Sequence, residues 1–290
     1  MKIKKHQSYI LYLYNHKKLY HLHTYHSFIY NEQDIRVYMI HEVIDSHCHL
    51  DFSKFNRDRH EVIERARKRG VSEMINSGID YRTNADSIAL TRKYDFIHAT
   101  LGLSPQMVPH AKNEKIRQII SQIERNIDKA VGVGETGLDF YYCTNDPGRE
   151  KQKDVFRQII EIADNYNKTL VIHGRDGEDL ALQMSKHLEK VIFHCYGGSL
   201  KTMERIVDMG HYISVPTLVC FSQQHKEIAQ KLPLENMLIE TDSPFLSPRK
   251  GRNEPAFVVD SVPMIANLKD IDTNDVARET VKNTRRVFEL

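Results

Sequence analysis

The 290-residue sequence is poor in cysteine and contains no long hydrophobic run. Because no stretch approaches the roughly eighteen apolar residues that a spanning helix needs, we predict neither a transmembrane helix nor a membrane partner. So few cysteines in a chain of this length do not indicate a disulfide framework. We therefore expect reduced thiols and a cytoplasmic protein. The cysteines are Cys48, Cys143, Cys195 and Cys220.

Two common catalytic signatures are also missing from the sequence. There is no Gly-x-Ser-x-Gly motif, which excludes the nucleophile elbow of the serine hydrolases. No glycine-rich dinucleotide fingerprint follows the first predicted strand, which argues against a doubly wound nucleotide-binding sheet. Cys143 lies in a loop that contains proline and glycine, with no Cys–His arrangement around it. Catalysis by a serine or cysteine nucleophile and binding of a dinucleotide cofactor are therefore disfavoured.

Residues 1–38 differ in composition from the rest of the chain. They contain no glycine or proline, but hold seven of the 14 tyrosines and five of the 16 histidines. They also lack the apolar region and cleavage site of a signal peptide. We predict a poorly ordered extension over 1–38, with Met39 as the natural start of a hydrolase domain at 39–290. The alternative is an accessory arm that binds nucleic acid through tyrosine stacking and Lys17 and Lys18.

Net charge gives no support for general binding to polyanions. The whole chain carries +2, but six of its 41 Lys and Arg and two of its 39 Asp and Glu lie in residues 1–38. Residues 39–290 therefore hold 35 basic and 37 acidic side chains, a net charge near −2. Attraction to a nucleic acid must come from a local basic patch or from bound metal ions.

Eight short β-rich runs alternate with amphipathic, helix-like stretches beyond Met39. Most runs are apolar without strict alternation, which indicates strands that are buried on both faces and paired in parallel. Eight such units in about 250 residues predict a (β/α)8 TIM barrel with outer helices, rather than an open doubly wound sheet. The runs are EVID (42–45), EMINSG (73–78), FIHATLG (96–102), AVGVGE (130–135), LVIHG (170–174), VIFHC (191–195), YISVP (212–216) and MLIET (237–241).

Residues with metal-binding side chains recur where five of the predicted strands end. In a parallel barrel these ends meet at one pocket. Each histidine alone is more often a satisfied core or capping residue, but four imidazoles and two carboxylates in equivalent places predict a metal site. The six predicted ligands are His47, His49, Glu135, His173, His194 and Asp242.

Six nitrogen and oxygen ligands exceed what one tetrahedral zinc ion takes, so we predict two divalent ions. Strand order assigns the ligands of the first and last strands to one ion and the histidines of the fifth and sixth strands to the other. Glu135 lies between them in this order and would bridge the ions. Oxygen ligands favour Mg or Mn, whereas four imidazoles suit Zn. Alternation turns Cys48 and Cys195 away from the ligands, which predicts packing roles.

With these motifs assembled, the sequence resembles the TatD family of metal-dependent deoxyribonucleases, which are amidohydrolase-like TIM barrels. The resemblance implies that the six predicted ligands occupy the metal positions of the family, with Glu135 bridging. It also implies a DNA substrate, hydrolysed from the 3′ side. The matching stretches run from Met39 to Leu290 and are DSHCHLD, GETGLDF, VIHGRD, FHCYGG, ETDSPFLSP with RNEP soon after, and NTRRVF.

One position departs from the family pattern. Many members end the third strand in Gly-x-His-Pro, whereas this chain reads GLSP, with Ser104 in place of the histidine. A hydroxyl can hydrogen-bond a phosphate or a water molecule, but it cannot act as an imidazole acid or base near neutral pH. His110, farther along the same loop, is a possible substitute.

The mechanism expected from the sequence is hydrolysis of DNA phosphodiesters by a hydroxide that two metal ions activate, with Glu135 and Asp242 as catalytic carboxylates. We expect a 3′-5′ exonuclease that acts on single strands or frayed ends, and a monomer. One alternative is hydrolysis of a carbonyl ester or amide by the same centre, as in an aminoacyl-tRNA deacylase. The other is a non-catalytic nucleic-acid-binding module that a metal stabilises.

Predicted substrate contacts come from the loops at the same end of the barrel. Ser104, Arg175 and Arg252 are candidates for binding phosphate, and the 249–252 loop adds further basic residues. The alternative for Arg252 is an ion pair that only braces the fold. Tyr141 and Tyr142, which follow Glu135, are candidates for stacking on a terminal base.

Overall fold

The computed structural model describes residues 11–15, 18–22, 36–38 and 42–290. Residues 42–290 contain eight parallel strands that pair in chain order, with helices between them, so the predicted (β/α)8 TIM barrel is confirmed. The strands are β1 (Val43–Cys48), β2 (Val71–Gly78), β3 (Ile97–Leu101), β4 (Gly132–Asp139), β5 (Thr169–Arg175), β6 (Val191–His194), β7 (Tyr212–Pro216) and β8 (Met237–Glu240).

The barrel is completed by hydrogen bonds between β1 and the residues that follow β8. The N–H of Asp242 donates to the carbonyl of His47 at 3.0 Å, and the N–H of His49 donates to the carbonyl of Ser243 at 2.8 Å. Cys48 and Ser243 form the parallel bridge between them. These bonds hold the side chains contributed by the first and last strands at one point of the barrel mouth.

The helices pack an apolar face onto the outside of the barrel. In the helix Asp146–Asn165, Phe156, Ile159 and Ile160 are buried, as helical spacing requires for one face. The helices are α1 (Arg59–Lys68), α2 (Tyr81–Lys93), α3 (Asn113–Asn126), α4 (Asp146–Asn165), α5 (Glu178–Ser185), α6 (Leu200–Asp208), α7 (Gln223–Lys231), α8 (Ser261–Lys269) and α9 (Thr273–Phe288).

Two strands extend beyond the polar residues that were expected to end them. β1 includes His47, and β4 runs to Asp139, so Glu135 lies in the middle of β4. The pairing of β4 with β5 is irregular between Val133 and Thr136, next to Glu135. Polar residues do not end these strands, because their side chains find polar partners at the barrel mouth.

Glycines on both sides of Glu135 allow β4 to approach β5 closely. Gly134 has φ of +132° and Gly137 has φ of +141°, values that favour glycine. A Cβ atom on Gly137 would lie 2.2 Å from the carbonyl oxygen of His173. The GETG sequence therefore brings the strand that carries Glu135 against the strand that carries His173.

Within residues 1–38, three short strands pair antiparallel in a separate sheet. They are Leu11–Asn15, Lys18–Leu22 and Arg36–Tyr38. The remainder of this segment, together with Met39, falls outside the described residues. The domain boundary at Met39 and the poor order of 1–38 therefore stay predictions. No helix in the described part of the chain has the length and apolar character to cross a membrane.

Candidate metal centre

Glu135 is the central residue of a buried polar cluster at the barrel mouth. Its Oε2 lies 3.2 Å from His47 Nε2 and 3.4 Å from His49 Nε2. Its Oε1 lies 3.2 Å from His173 Nδ1, and His194 Nε2 lies 3.8 Å from Oε2. All four imidazoles therefore point a ring nitrogen at this one carboxylate.

Asp242 approaches the same cluster from the β8 side. Its Oδ1 is 3.3 Å from His49 Nε2 and 4.0 Å from His47 Nε2. With 15% of its side chain exposed, against 9% for Glu135, Asp242 is the more open of the two carboxylates. The structure thus brings all six predicted ligands together.

The donor atoms form overlapping groups that suit divalent cations. His47, His49 and Glu135 place three ligand atoms within 4.8 Å of one another, and Glu135, His173 and His194 form a second such group. Glu135 belongs to both. Imidazole nitrogens are typical ligands of zinc, and carboxylate oxygens are typical ligands of manganese and magnesium. The residues therefore fit the metal that the sequence predicts.

Ion pairing within the cluster decides the charge on its members. Burial would raise the pKa of Glu135, but the surrounding imidazoles hold this pKa well below its ordinary value. Burial opposes protonation of His49, yet Asp242 and Glu135 raise the pKa of His49 well above its ordinary value. Burial also opposes protonation of His173, but its carboxylate neighbours raise the pKa to about 10. Cation binding would therefore displace protons from these histidines.

Hydrogen bonds behind the imidazoles fix their orientation. His49 Nδ1 donates to the carbonyl oxygen of Ser77 at 2.8 Å, which directs Nε2 of His49 toward the carboxylates. The Ser77 hydroxyl contacts His47 Nδ1 at 3.2 Å. On the other side, His173 Nε2 lies 3.1 Å from Asp139 Oδ2, so Nδ1 faces Glu135. Such partners set the tautomer of a metal-binding histidine.

Sequence reasoning missed two buried carboxylates of this cluster. Asp139, at the end of β4, supports His173. Glu240 is fully buried, and its Oε1 lies 3.7 Å from His194 Nδ1, with no hydrogen-bond partner in the described part of the chain. Strand alternation gave a signal for Glu240, since residues i and i+2 of an extended chain face the same side and Asp242 was a predicted ligand.

The two cysteines next to predicted ligands take no part in the cluster. Cys48 is fully buried in the hydrophobic core, and its Sγ contacts the carbonyl oxygen of Ile75 at 3.5 Å. Cys195 is half-buried, with φ of +47°. Burial, with nearby carboxylates, raises the pKa of both thiols well above the usual value. They are therefore poor sources of thiolate.

The predicted substrate contacts are in different environments. Ser104 is buried, and its N–H donates to the carbonyl of Ile79, while His110 is exposed at the end of a short 3-10 helix. Arg175 is exposed at the end of β5, two residues beyond His173. Arg252 instead forms two hydrogen bonds with Asp58, at 3.0 and 2.6 Å. Phosphate contact by Arg252 would require that ion pair to open, so phosphate contact and the bracing ion pair both stay open as alternatives.

Comparisons with known proteins agree with the fold and with a metal-dependent hydrolase. The sequence profile of the family described as TatD related DNase matches residues 44–289. A protein of Methanocaldococcus jannaschii, named an uncharacterized metal-dependent hydrolase, is 36% identical over 246 residues, covering 84% of this chain and 96% of its own. A protein of Erwinia tasmaniensis, named a 3′-5′ ssDNA/RNA exonuclease, is 28% identical over 265 residues, covering 86% of this chain and all of its own.

A solved structure is similar over the same region. The crystal structure of YjjV, a TatD homologue from Escherichia coli K12, superposes with a TM-score of 0.79 at 29% sequence identity. The similarity covers 87% of this chain and all of the YjjV chain.

Proposed function

The chain belongs to the TatD related DNase family and is a metal-dependent hydrolase of ester bonds, and from this premise we propose that it hydrolyses phosphodiester bonds of DNA. We further propose that two divalent ions bind at the barrel mouth and that terminal nucleotides are removed from the 3′ side of single strands or frayed ends. The observation that carries the proposal is the position of Glu135, whose two carboxylate oxygens face histidines of separate strands.

The residues that would hold the ions divide into two sets. One ion would be held by His47, His49 and Asp242. The other ion would be held by His173 of β5 and His194 of β6. Glu135 would bridge both sets. When bound, such ions neutralise phosphate charge and lower the pKa of a water molecule, the chemistry that phosphodiester hydrolysis needs.

The chain's own carboxylates have different tasks in this proposal. Asp242 is the more exposed carboxylate, and it would orient the attacking water and accept its proton. Glu135 is held ionised by its histidine neighbours and keeps the two sets of ligands together. Asp139 holds His173 in the tautomer that leaves Nδ1 free to bind. Ser104 and Arg175 are the proposed contacts to substrate phosphate.

The shape of the site supports a preference for strand ends. A centre at the mouth of a barrel is reached more readily by a strand terminus than by the middle of a duplex. Opening an internal duplex site would require unstacking energy of a few kcal/mol. The proposal of 3′ polarity rests on the family and on the named activity of the Erwinia tasmaniensis relative.

The test is a time course with metal-free protein supplied in turn with Mg, Mn or Zn. The substrates are linear single-stranded DNA labelled at either end, a closed circular single strand, and an aminoacyl ester. We expect progressive shortening from the 3′ end of the linear strand while the circle stays intact. Hydrolysis of RNA in parallel will define the range of nucleic-acid substrates.

Three outcomes would contradict parts of the proposal. Rapid opening of the circle would establish endonuclease action and refute the exonuclease assignment. Much faster cleavage of the aminoacyl ester than of DNA would assign the centre to carbonyl chemistry. Binding of DNA without cleavage under every metal would indicate a nucleic-acid-binding module.

A further inference from the structure

Exposed aromatic rings with a nearby cation occur at two positions on the rim of the barrel mouth. One group lies in the loops after β1 and β8, and the other lies in the loop after β4 and at the end of β5. In a barrel of eight strands paired in chain order, these positions are half the circumference apart. The metal centre lies between them. A strand that runs from one group to the other therefore passes over the metal ligands.

The group after β1 and β8 is the Phe245 platform, formed by Phe245, Phe52 and Lys54. Phe52 stacks on the metal-binding ring of His49, with centroids 4.6 Å apart, and contacts Phe245 edge-on at 5.9 Å. Phe245 is 41% exposed, and the Lys54 ammonium lies 4.8 Å from its ring centroid. The backbone N–H of Phe245 donates to the carbonyl of Asp242, so the platform is connected to a predicted metal ligand.

The group after β4 and β5 is the Tyr142 platform, formed by Tyr141, Tyr142 and Arg175. The Arg175 guanidinium covers Tyr141 at 3.8 Å and lies 5.0 Å from the Tyr142 centroid. Tyr142 is 63% exposed, the largest value among the exposed large hydrophobic side chains of the described residues. Its N–H donates to Asp139 Oδ1, and Asp139 also bonds His173. This platform is therefore anchored to the other side of the metal centre.

The cations of both platforms are available for phosphate. Within residues 42–290, neither Lys54 nor Arg175 forms a salt bridge, and both are exposed. Arg249 and Arg252, in contrast, are bound to Asp260 and Asp58. An exposed ring beside an unpaired cation offers a stacking surface for a base and a contact for its phosphate.

We propose that the 3′-terminal segment of a single-stranded nucleic acid spans the mouth, with one base stacked on Phe245 and another on Tyr142, on either side of the scissile phosphate. Lys54 and Arg175 contact backbone phosphates next to these bases. This inference rests on the proposed nuclease function and adds to it the path of the strand. Stacking accepts any base, so the platforms select single strands over paired ones without selecting sequence.

The test compares two strands of equal length and charge. Metal-loaded, full-length protein is titrated with fluorescent, phosphorothioate-linked oligothymidylate and with an abasic strand of the same linkage, and anisotropy gives Kd. Phe245→Ala and Tyr142→Ala keep the backbone hydrogen bonds that anchor the loops. The matched control is Tyr166→Ala, since Tyr166 is 45% exposed at the C-terminal end of α4, on the opposite face of the barrel.

We expect each platform variant to raise Kd for the thymidine strand about tenfold and to leave Kd for the abasic strand within about twofold. The Tyr166→Ala control should match the wild type. Lys54→Ala should weaken binding of both strands equally. It should also lower the slope of log K against log salt concentration by about 0.7.

Two outcomes would overturn the inference and are distinguishable from each other. If wild type binds and degrades the thymidine strand, but Phe245→Ala and Tyr142→Ala behave like Tyr166→Ala, the platforms are refuted and the nuclease function stands. If wild type neither binds nor degrades the strand, the proposed function fails and the inference fails with it.

Discussion

Replacing Asp139 with asparagine tests whether a buried carboxylate tunes the metal centre through His173. Asp139 accepts hydrogen bonds from His173 Nε2 at 3.1 Å, Gln106 Nε2 at 2.8 Å and the N–H of Tyr142 at 2.9 Å. Asparagine keeps the size of the side chain but removes its charge. The exchange therefore changes the electronic character of His173 with little change in packing.

The expected magnitude follows from these bonds. A hydrogen bond to a charged acceptor contributes about 1.5–3 kcal/mol, and a neutral one about 0.5–1.5 kcal/mol. The difference of about 1–1.5 kcal/mol corresponds to roughly tenfold weaker metal binding. If the amide nitrogen faces the ring, the wrong His173 tautomer is favoured, and the loss approaches the roughly hundredfold limit for such outer partners. We therefore expect Asp139→Asn to bind metal about 10- to 100-fold more weakly.

The assay is calorimetric titration of metal-free protein with Mn²⁺, with DNA hydrolysis followed in parallel. The matched control is Gln106→Ala, which removes a second hydrogen bond from the same carboxylate but leaves its charge. The control should lose less than about threefold in affinity. Metal affinity and turnover of Asp139→Asn within twofold of wild type would refute the reasoning.

Three further predictions concern other parts of the chain. Deleting residues 1–38 should leave melting temperature and turnover nearly unchanged, whereas tenfold weaker DNA binding, about 1.4 kcal/mol, would identify an accessory arm. Arg252→Ala should lower the free energy of unfolding by about 1 kcal/mol or less, because its ion pair with Asp58 is lost. The KM for DNA should be unchanged. A large rise in KM would instead establish phosphate contact. Burial lowers the pKa of His211, and neither ring nitrogen has a hydrogen-bond partner in the described part of the chain. As pH falls through about 6.5, the unfolded chain therefore binds more protons than the folded chain, and the free energy of unfolding declines. Between pH 7.5 and 5.5, His211→Phe should lose less melting temperature than wild type; an equal loss would contradict this.

The fold and the clustering of the six predicted ligands were predictable because each left a local signal in the sequence. Strands buried on both faces appear as apolar runs, and eight of them at regular spacing predict the barrel. The ligands follow or end those runs, where a parallel barrel gathers its strand ends. Strand lengths were misjudged, since Glu135 lies within β4 rather than at its end. The strand is longer than predicted because its pairing with β5 resumes after an irregularity and continues from Thr136 to Asp139.

The partners of charged side chains were not predictable in the same way. Arg252 pairs with Asp58, which is 194 positions earlier in the chain, so the contact depends on the closure of the barrel. The ring series from His49 through Phe52 to Phe245 likewise joins the loops of the first and last strands. Sequence patterns report which face of an element is buried, but not which distant loop meets it.

The most direct test of the central claim is a metal titration with hydrolysis as the readout. Metal-free, full-length protein and its Glu135→Gln variant receive increasing Mn²⁺ while release of terminal nucleotides from single-stranded DNA is measured. We predict that wild-type activity is absent without metal and reaches its plateau near two equivalents, because Glu135 joins two sets of ligands. The variant should bind less metal and remain inactive. Full wild-type activity without metal, or full activity of Glu135→Gln with two ions bound, would contradict the bridged metal centre.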